Sequence, residues 1–323
     1  MLYPMTFAPV YKDYPWGGAG FRRIYGREVP FDICAESWEI TDRPDGMSVV
    51  LNGPLAGTSL HDLLAQHATD LAGTAWHGGP FPLLVKLIDA RERLSLQVHP
   101  DEQGARACGG DPKTEAWLML DTMPDARVFT GLKPGVTKSA FQKALAAQRL
   151  EELLVALPAH AGDVIFIPGG RLHAIDAGCL LLEVQQNSNT TYRVFDWNRM
   201  GKDGRPRPLH RQEAFDVIDW QDHGPGQPRA NTGTGPIREL LACPYFTIEQ
   251  LVPGDLMQVV LPGHTCHILF VMEGQMEIVV ASQTWTAARG TTWLIPAGLG
   301  GYSLRAAARS KAARISLPAP AAR

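Results

Sequence analysis

No run of roughly eighteen uncharged apolar residues occurs anywhere in this 323-residue sequence, which excludes an ordinary membrane-spanning helix. Cysteine is scarce: Cys34, Cys108, Cys179, Cys243 and Cys266 are scattered, odd in number and form no C-x-x-C pair. No disulfide framework is encoded, and a reducing compartment is expected. Basic charge is thin as well. The formal net charge is −3, and the nearest approach to a basic run, GKDGRPRPLHR at 201–211, is broken by prolines. It reads as a surface loop, and nucleic acid is excluded as a partner. There is no G-x-x-x-x-G-K-[ST] loop, so any phosphate must be met by side chains. The first residues, MLYPMTFAPVYKDYPWGG, lack a basic flank followed by an apolar stretch; a cytoplasmic protein is the expectation.

What the chain does have is apolar material, 45% of residues against 20% charged, enough for a sizeable core. It comes in short runs cut by proline and glycine: PLLVKLID, LSLQVH, AWLML, DVIFIP, CLLLEVQ, HILFVM, MEIVV and TTWLIP. Many short strands at close spacing predict a mainly β protein of sandwich or barrel type. Helical spacing is confined to SLHDLLAQHATDLAG near 59–73 and KSAFQKALAAQRLEELLVAL near 138–157, which predict helices attached to a β scaffold. GDVIFIPGG from Gly162 and GTTWLIPAG from Gly290 both read G-x5-P-x-G around an apolar strand, so two copies of one β-barrel unit are expected. Residues 221–237, rich in Gly, Pro, Asn and Thr, read as the linker between an N-terminal domain, 1–220, and a C-terminal one, 238–323.

The copies differ at one position. The first continues to His173, whereas the second has Gly301 there; only the first barrel could use that position as a ligand. In LSLQVHP, Ser95, Gln97 and His99 alternate with Leu94, Leu96 and Val98, which on a strand puts the polar side chains in one column. In DPKTEAW, Lys113, Glu115 and Trp117 share parity. With His173 these segments offer two imidazoles, a carboxylate and an amide, a donor set suited to zinc or another divalent first-row ion.

G-x5-P-x-G-x2-H is similar to the second metal motif of cupins. LSLQVHPDE, KTEAW and IPGGRLHAIDAGCLLLEVQQNSNTTYRVFDWNR resemble the signature segments of type I phosphomannose isomerases, especially the short bacterial form. YPWGG at 14–18 and AESWEITDRP at 35–44 extend the resemblance over about 9–220. It implies two cupin-type (jelly-roll) β-barrels with a few added helices, the first catalytic with a short helical insertion near 138–157, the second metal-free. It implies one zinc ion per chain held by Gln97, His99, Glu115 and His173, an active-site arginine at Arg193, and Lys113 and Glu183 in the same pocket. AWLML stands where many members have a tyrosine after the tryptophan, a change in pocket polarity that deletes no ligand.

The activity implied is metal-dependent interconversion of mannose 6-phosphate and fructose 6-phosphate through an enediolate. Such chemistry needs an electrophile for the oxygens and a base for the proton. Glu183 and Lys113 are both candidates for the base; the alternatives are that Glu183 orients His173 or pairs with Arg193, and that Lys113 binds phosphate as a point charge. Ser95, Lys86 and Arg193 are the candidates for binding the sugar phosphate. Trp16 and Trp117 are expected to pack as wall residues. Two rival readings keep the fold: a non-haem iron oxygenase using the same two histidines and carboxylate, and a non-catalytic sugar-phosphate-binding cupin. A monomer or homodimer is expected.

Overall fold

The computed structural model describes residues 2–201, 204–223, 234–306 and 309–319. LLVKLIDA folds as the strand Leu83–Ala90, buried at all eight positions, as a strand covered on both faces must be. It lies in a six-stranded sheet in the order Val164–Ile167, Glu115–Thr122, Cys179–Gln186, Leu83–Ala90, Glu36–Ile40, Val10–Lys12. A five-stranded sheet runs Leu154–Pro158, Arg127–Leu132, His173–Ile175, Leu96–Val98, Tyr192–Phe195. Ile88, Trp117, Ile165 and Leu181 from the first sheet share one apolar cluster with Val128 and Ile175 from the second, so the two sheets pack face to face.

Elsewhere a six-stranded sheet (Met5–Thr6, Thr292–Ile295, His267–Glu273, Lys311–Ser316, Thr247–Leu251, Ile237–Ala242) and a four-stranded sheet (Met257–Val260, Gly301–Ala306, Gln275–Val280, Gln283–Ala288) share a second cluster containing Leu269, Trp293, Ile278 and Leu304. The chain is mainly β, and none of these sheets closes on itself. Both copies of the repeat open on a left-handed glycine, Gly162 at φ 94° and Gly290 at φ 77°, a conformation that glycine adopts without a Cβ penalty. Among the described residues no helix is long and apolar enough to cross a membrane.

The chain forms two compact units, each discontinuous: residues 1–10, 38–85 and 231–323 in one, residues 11–37 and 86–230 in the other. The sequence reading makes a single cut at 221–237 instead; residues 224–233 of that segment lie outside the described residues, and its end already enters the strand Ile237–Ala242.

The helix near 59–73 spans Leu60–Ala72, capped by the Ser59 side chain accepting from the Asp62 N–H and interrupted at Ala68. The expected helix at 138–157 is shorter. It ends at Ala146, Gln148 adopts φ 57°, and Leu154–Pro158 pairs with Arg127–Leu132 as an edge strand. Sheet pairing overrides the helical spacing there. Three helices without a long apolar period, Gly20–Tyr25, Glu102–Cys108 and Arg211–Val217, were not expected. Leu94 also departs from the alternation it shares with Leu96 and Val98: it precedes the strand and joins the cluster between the sheets, while Leu96 and Val98 pack on the other side with Phe129 and Phe141.

Candidate metal centre

Strand register builds the site. Gln97 stands opposite Arg193 on one side and His173 on the other, which makes a row of three across the five-stranded sheet. In the other sheet Trp117 stands opposite Glu183, and Glu115 opposite Gln185. The loops that carry the candidate ligands are stitched together by backbone: Gly170 N–H donates to the His99 carbonyl at 2.7 Å and Lys113 N–H to the Pro100 carbonyl at 2.9 Å. A Cβ on Gly169 would lie 2.6 Å from the Asp101 backbone, so the proline-glycine turn is what lets these loops meet.

His99, Glu115 and His173 are buried and offer donor atoms that all lie within 4.8 Å of one another. His99 Nε2 is 3.3 Å and His173 Nε2 3.5 Å from the Glu115 carboxylate. Both ring nitrogens of His99 and Oε2 of Glu115 are buried without a hydrogen-bond partner, although the Lys113 ammonium lies 3.0 Å from that oxygen in poor hydrogen-bond geometry. Buried polar atoms are normally satisfied. Imidazole and carboxylate lone pairs left open at one point are the donor set a divalent ion requires, and the residues fit one.

Burial, with the Lys113 charge beside it, pushes His99 down to about 3 against the opposing pull of Glu115; the ring is neutral and able to ligate. Burial by itself would raise Glu115, but Lys113 and His99 hold it well below the usual carboxylate range. Gln97 sits at the margin of the cluster, its amide nitrogen 3.3 Å from His173 Nε2 and its oxygen accepting from Ser95 Oγ at 3.2 Å.

A cavity of about 410 Å³ adjoins the cluster, bordered by Trp16, Glu36, Lys86, Ser95, Gln97, Lys113, Glu183, Arg193, Arg207 and His210 among others. Of the residues named from the sequence, Trp16, Lys86, Ser95, Gln97, Lys113, Glu183 and Arg193 border this cavity, whereas His99, Glu115 and His173 form the buried cluster beside it. A larger cavity of about 820 Å³, near Arg23, Asp89 and Asp176, borders none of them.

Lys86 is buried between two carboxylates, 3.0 Å from Glu183 and 3.4 Å from Glu36. Burial opposes its charge, but Glu183 and Glu36 outweigh burial and raise its pKa. Glu183 is raised by burial and then by Glu115, with Lys86 opposing. Neither partner expected for Glu183 is the one found: His173 Nδ1 is held by the Arg171 carbonyl at 2.8 Å, and Arg193 donates to Ser95 Oγ at 3.3 Å and to the Pro208 carbonyl at 2.9 Å. Arg193 is depressed by burial and then by the like charge of Arg207.

Sequence reasoning missed Glu36, Arg207 and His210, and it assigned Trp117 to packing. The Trp117 indole N–H in fact reaches both Glu115 and Glu183. The parity of Glu115 and Trp117 carried that signal. Nothing local marks Glu36, whose partner is fifty residues away.

A family model for the catalytic domain of phosphomannose isomerase type I matches residues 5–117. The chain is 33% identical over 311 residues to the probable mannose-6-phosphate isomerase GmuF of Bacillus subtilis (strain 168), covering 94% of this chain and 96% of that protein. It is 34% identical over 285 residues to the mannose-6-phosphate isomerase of Streptococcus mutans serotype c, covering 87% and 88%. Among solved structures, the mannose 6-phosphate isomerase from Bacillus subtilis superposes with a TM-score of 0.89 at 28% identity, over 97% of this chain and 99% of that one.

Proposed function

Because the chain belongs to the type I phosphomannose isomerase family, we propose that it is a metal-dependent aldose–ketose isomerase interconverting mannose 6-phosphate and fructose 6-phosphate. The observation that carries this reading is the buried His99–Glu115–His173 cluster, in which His99 and Oε2 of Glu115 lack hydrogen bonds, beside a cavity that holds both a carboxylate, Glu183, and a guanidinium, Arg193. His99, Glu115 and His173, with Gln97 at their edge, would hold one zinc ion per chain, which when bound would supply Lewis-acid polarisation of the sugar's carbonyl and hydroxyl oxygens.

Glu183 is the base. Its Oε1 is buried without a hydrogen bond, and its raised pKa brings it nearer the range that suits proton transfer. It takes the proton from C2 of the open-chain aldose and returns it to C1. Lys113 is committed to Glu115, whose ionised form it maintains. Lys86 is likewise committed to Glu36 and Glu183, which leaves Arg193, with Ser95 and Arg207 near it, as the group for the anionic substrate.

The two-sheet units read as cupin-type jelly rolls, the first catalytic. The 238–323 part of the other reads as metal-free, supported by Gly301 at the position of His173 and by a buried His267 whose ring contacts the Tyr302 hydroxyl rather than a carboxylate.

The test is solvent exchange. Mannose 6-phosphate incubated with the zinc-loaded protein in D2O should exchange its C2 hydrogen and give fructose 6-phosphate. Oxygen consumption without isomerisation would turn the reading to an oxygenase, and substrate binding without exchange would turn it to a sensor.

A further inference from the structure

Trp117 is fully buried, and its single polar atom stands between two acceptors. The indole N–H donates to Oε1 of Glu115 at 3.1 Å and to Oε2 of Glu183 at 3.0 Å. Glu183 is its direct neighbour across the strand pair, and Glu115 lies two residues back on the same face. Two carboxylates at such positions repel each other, so a donor between them restrains both. The other oxygen of each, Glu115 Oε2 and Glu183 Oε1, carries no hydrogen bond. The first is within 3.3 Å of His99 Nε2; the second is 3.0 Å from the Lys86 ammonium, in a residue that borders the cavity. The ring edge also rests against His173, centroids 5.6 Å apart.

We propose that Trp117 is a positioning residue: its N–H holds one oxygen of each carboxylate so that the opposite oxygen of Glu115 is presented to the metal cluster and that of Glu183 to the substrate. The Glu115 half depends only on the metal site; the Glu183 half rests on the isomerase reading. A tryptophan serving packing alone needs its shape but not its N–H.

Two replacements separate these roles. Benzothienylalanine at position 117 keeps the bicyclic shape and lacks the donor, while Trp117→Phe lacks the donor and part of the bulk. Zinc affinity is read by competition with a chromogenic chelator, independently of activity. kcat and KM for mannose 6-phosphate are then measured at saturating zinc. The isostere should keep the packing and unfold only somewhat earlier than the unsubstituted protein, because two buried carboxylate oxygens lose their donor, and it should bind zinc about tenfold or more weakly and lose about tenfold or more in kcat with KM unchanged, as expected for an outer partner of ligating groups. Trp117→Phe should add a loss of stability to the same changes. Zinc affinity that is unchanged overturns the Glu115 half, and kcat that is unchanged overturns the Glu183 half. If the unsubstituted protein shows no isomerisation, the isomerase reading fails by itself, and zinc affinity still decides the role toward Glu115.

Discussion

His173 Nδ1 lies 2.8 Å from the backbone carbonyl of Arg171. A carbonyl only accepts, so Nδ1 carries the proton and Nε2 keeps its lone pair on the side of Glu115. The tautomer needed for ligation is thus set by the turn that precedes the strand. His173→Ala should weaken zinc binding by at least about 100-fold, more than loss of an outer partner costs, and activity should fall with it. Chelator competition and the isomerase assay on one preparation check this; full zinc affinity would remove His173 from the ligand set.

Glu183→Gln keeps the size and the contact with Trp117 while removing the basic oxygen. Zinc affinity and KM should stay near their original values, and kcat should drop by about 10²–10⁴, the share a positioned base supplies. Exchange of the C2 hydrogen in D2O should vanish in parallel. Undiminished exchange in this variant would pass the base role to Lys113.

Arg193→Lys retains the charge but loses the fork that reaches Ser95 and Pro208 together. A loss of about 10- to 100-fold in kcat/KM is expected, the worth of a charged hydrogen bond, with zinc affinity unchanged. A variant as active as the parent would contradict the assignment of Arg193 to the substrate.

His267 gives a pH dependence away from the metal cluster. Burial, then Arg314 and His264, lower its pKa from 6.5 to about 3. The unfolded chain therefore binds this proton at higher pH than the folded one. The stability at stake is fully present above about 6.5 and is lost as pH falls toward 3. At about pH 5 the loss is about 2 kcal/mol. In urea titrations, the stability difference between the parent and His267→Gln should shrink by about that amount from about pH 7 to about pH 5; a constant difference would show that His267 titrates normally.

Much of the site was legible because its chemistry coincides with backbone signals. The proline-glycine turn marks His173, and parity places Glu115 and Trp117 on one face. The side chains that regulate these groups were not. Glu36 lies in a strand buried at every position, ESWEI, where alternation carries no information. Lys86, read as a substrate ligand, is captured by Glu36 and Glu183, a contact only the sheet order reveals. The same holds for 154–157, helical in spacing but drawn into the edge strand Leu154–Pro158 by Arg127–Leu132. Leu94 left its column because the strand begins two residues later.

The most direct test of the account is a coupled assay of mannose 6-phosphate conversion to fructose 6-phosphate on protein stripped by chelator and then given back zinc. The account predicts that activity disappears with the metal and returns at one zinc ion per chain. Full activity in the stripped protein, or none after stoichiometric zinc has bound, would contradict it.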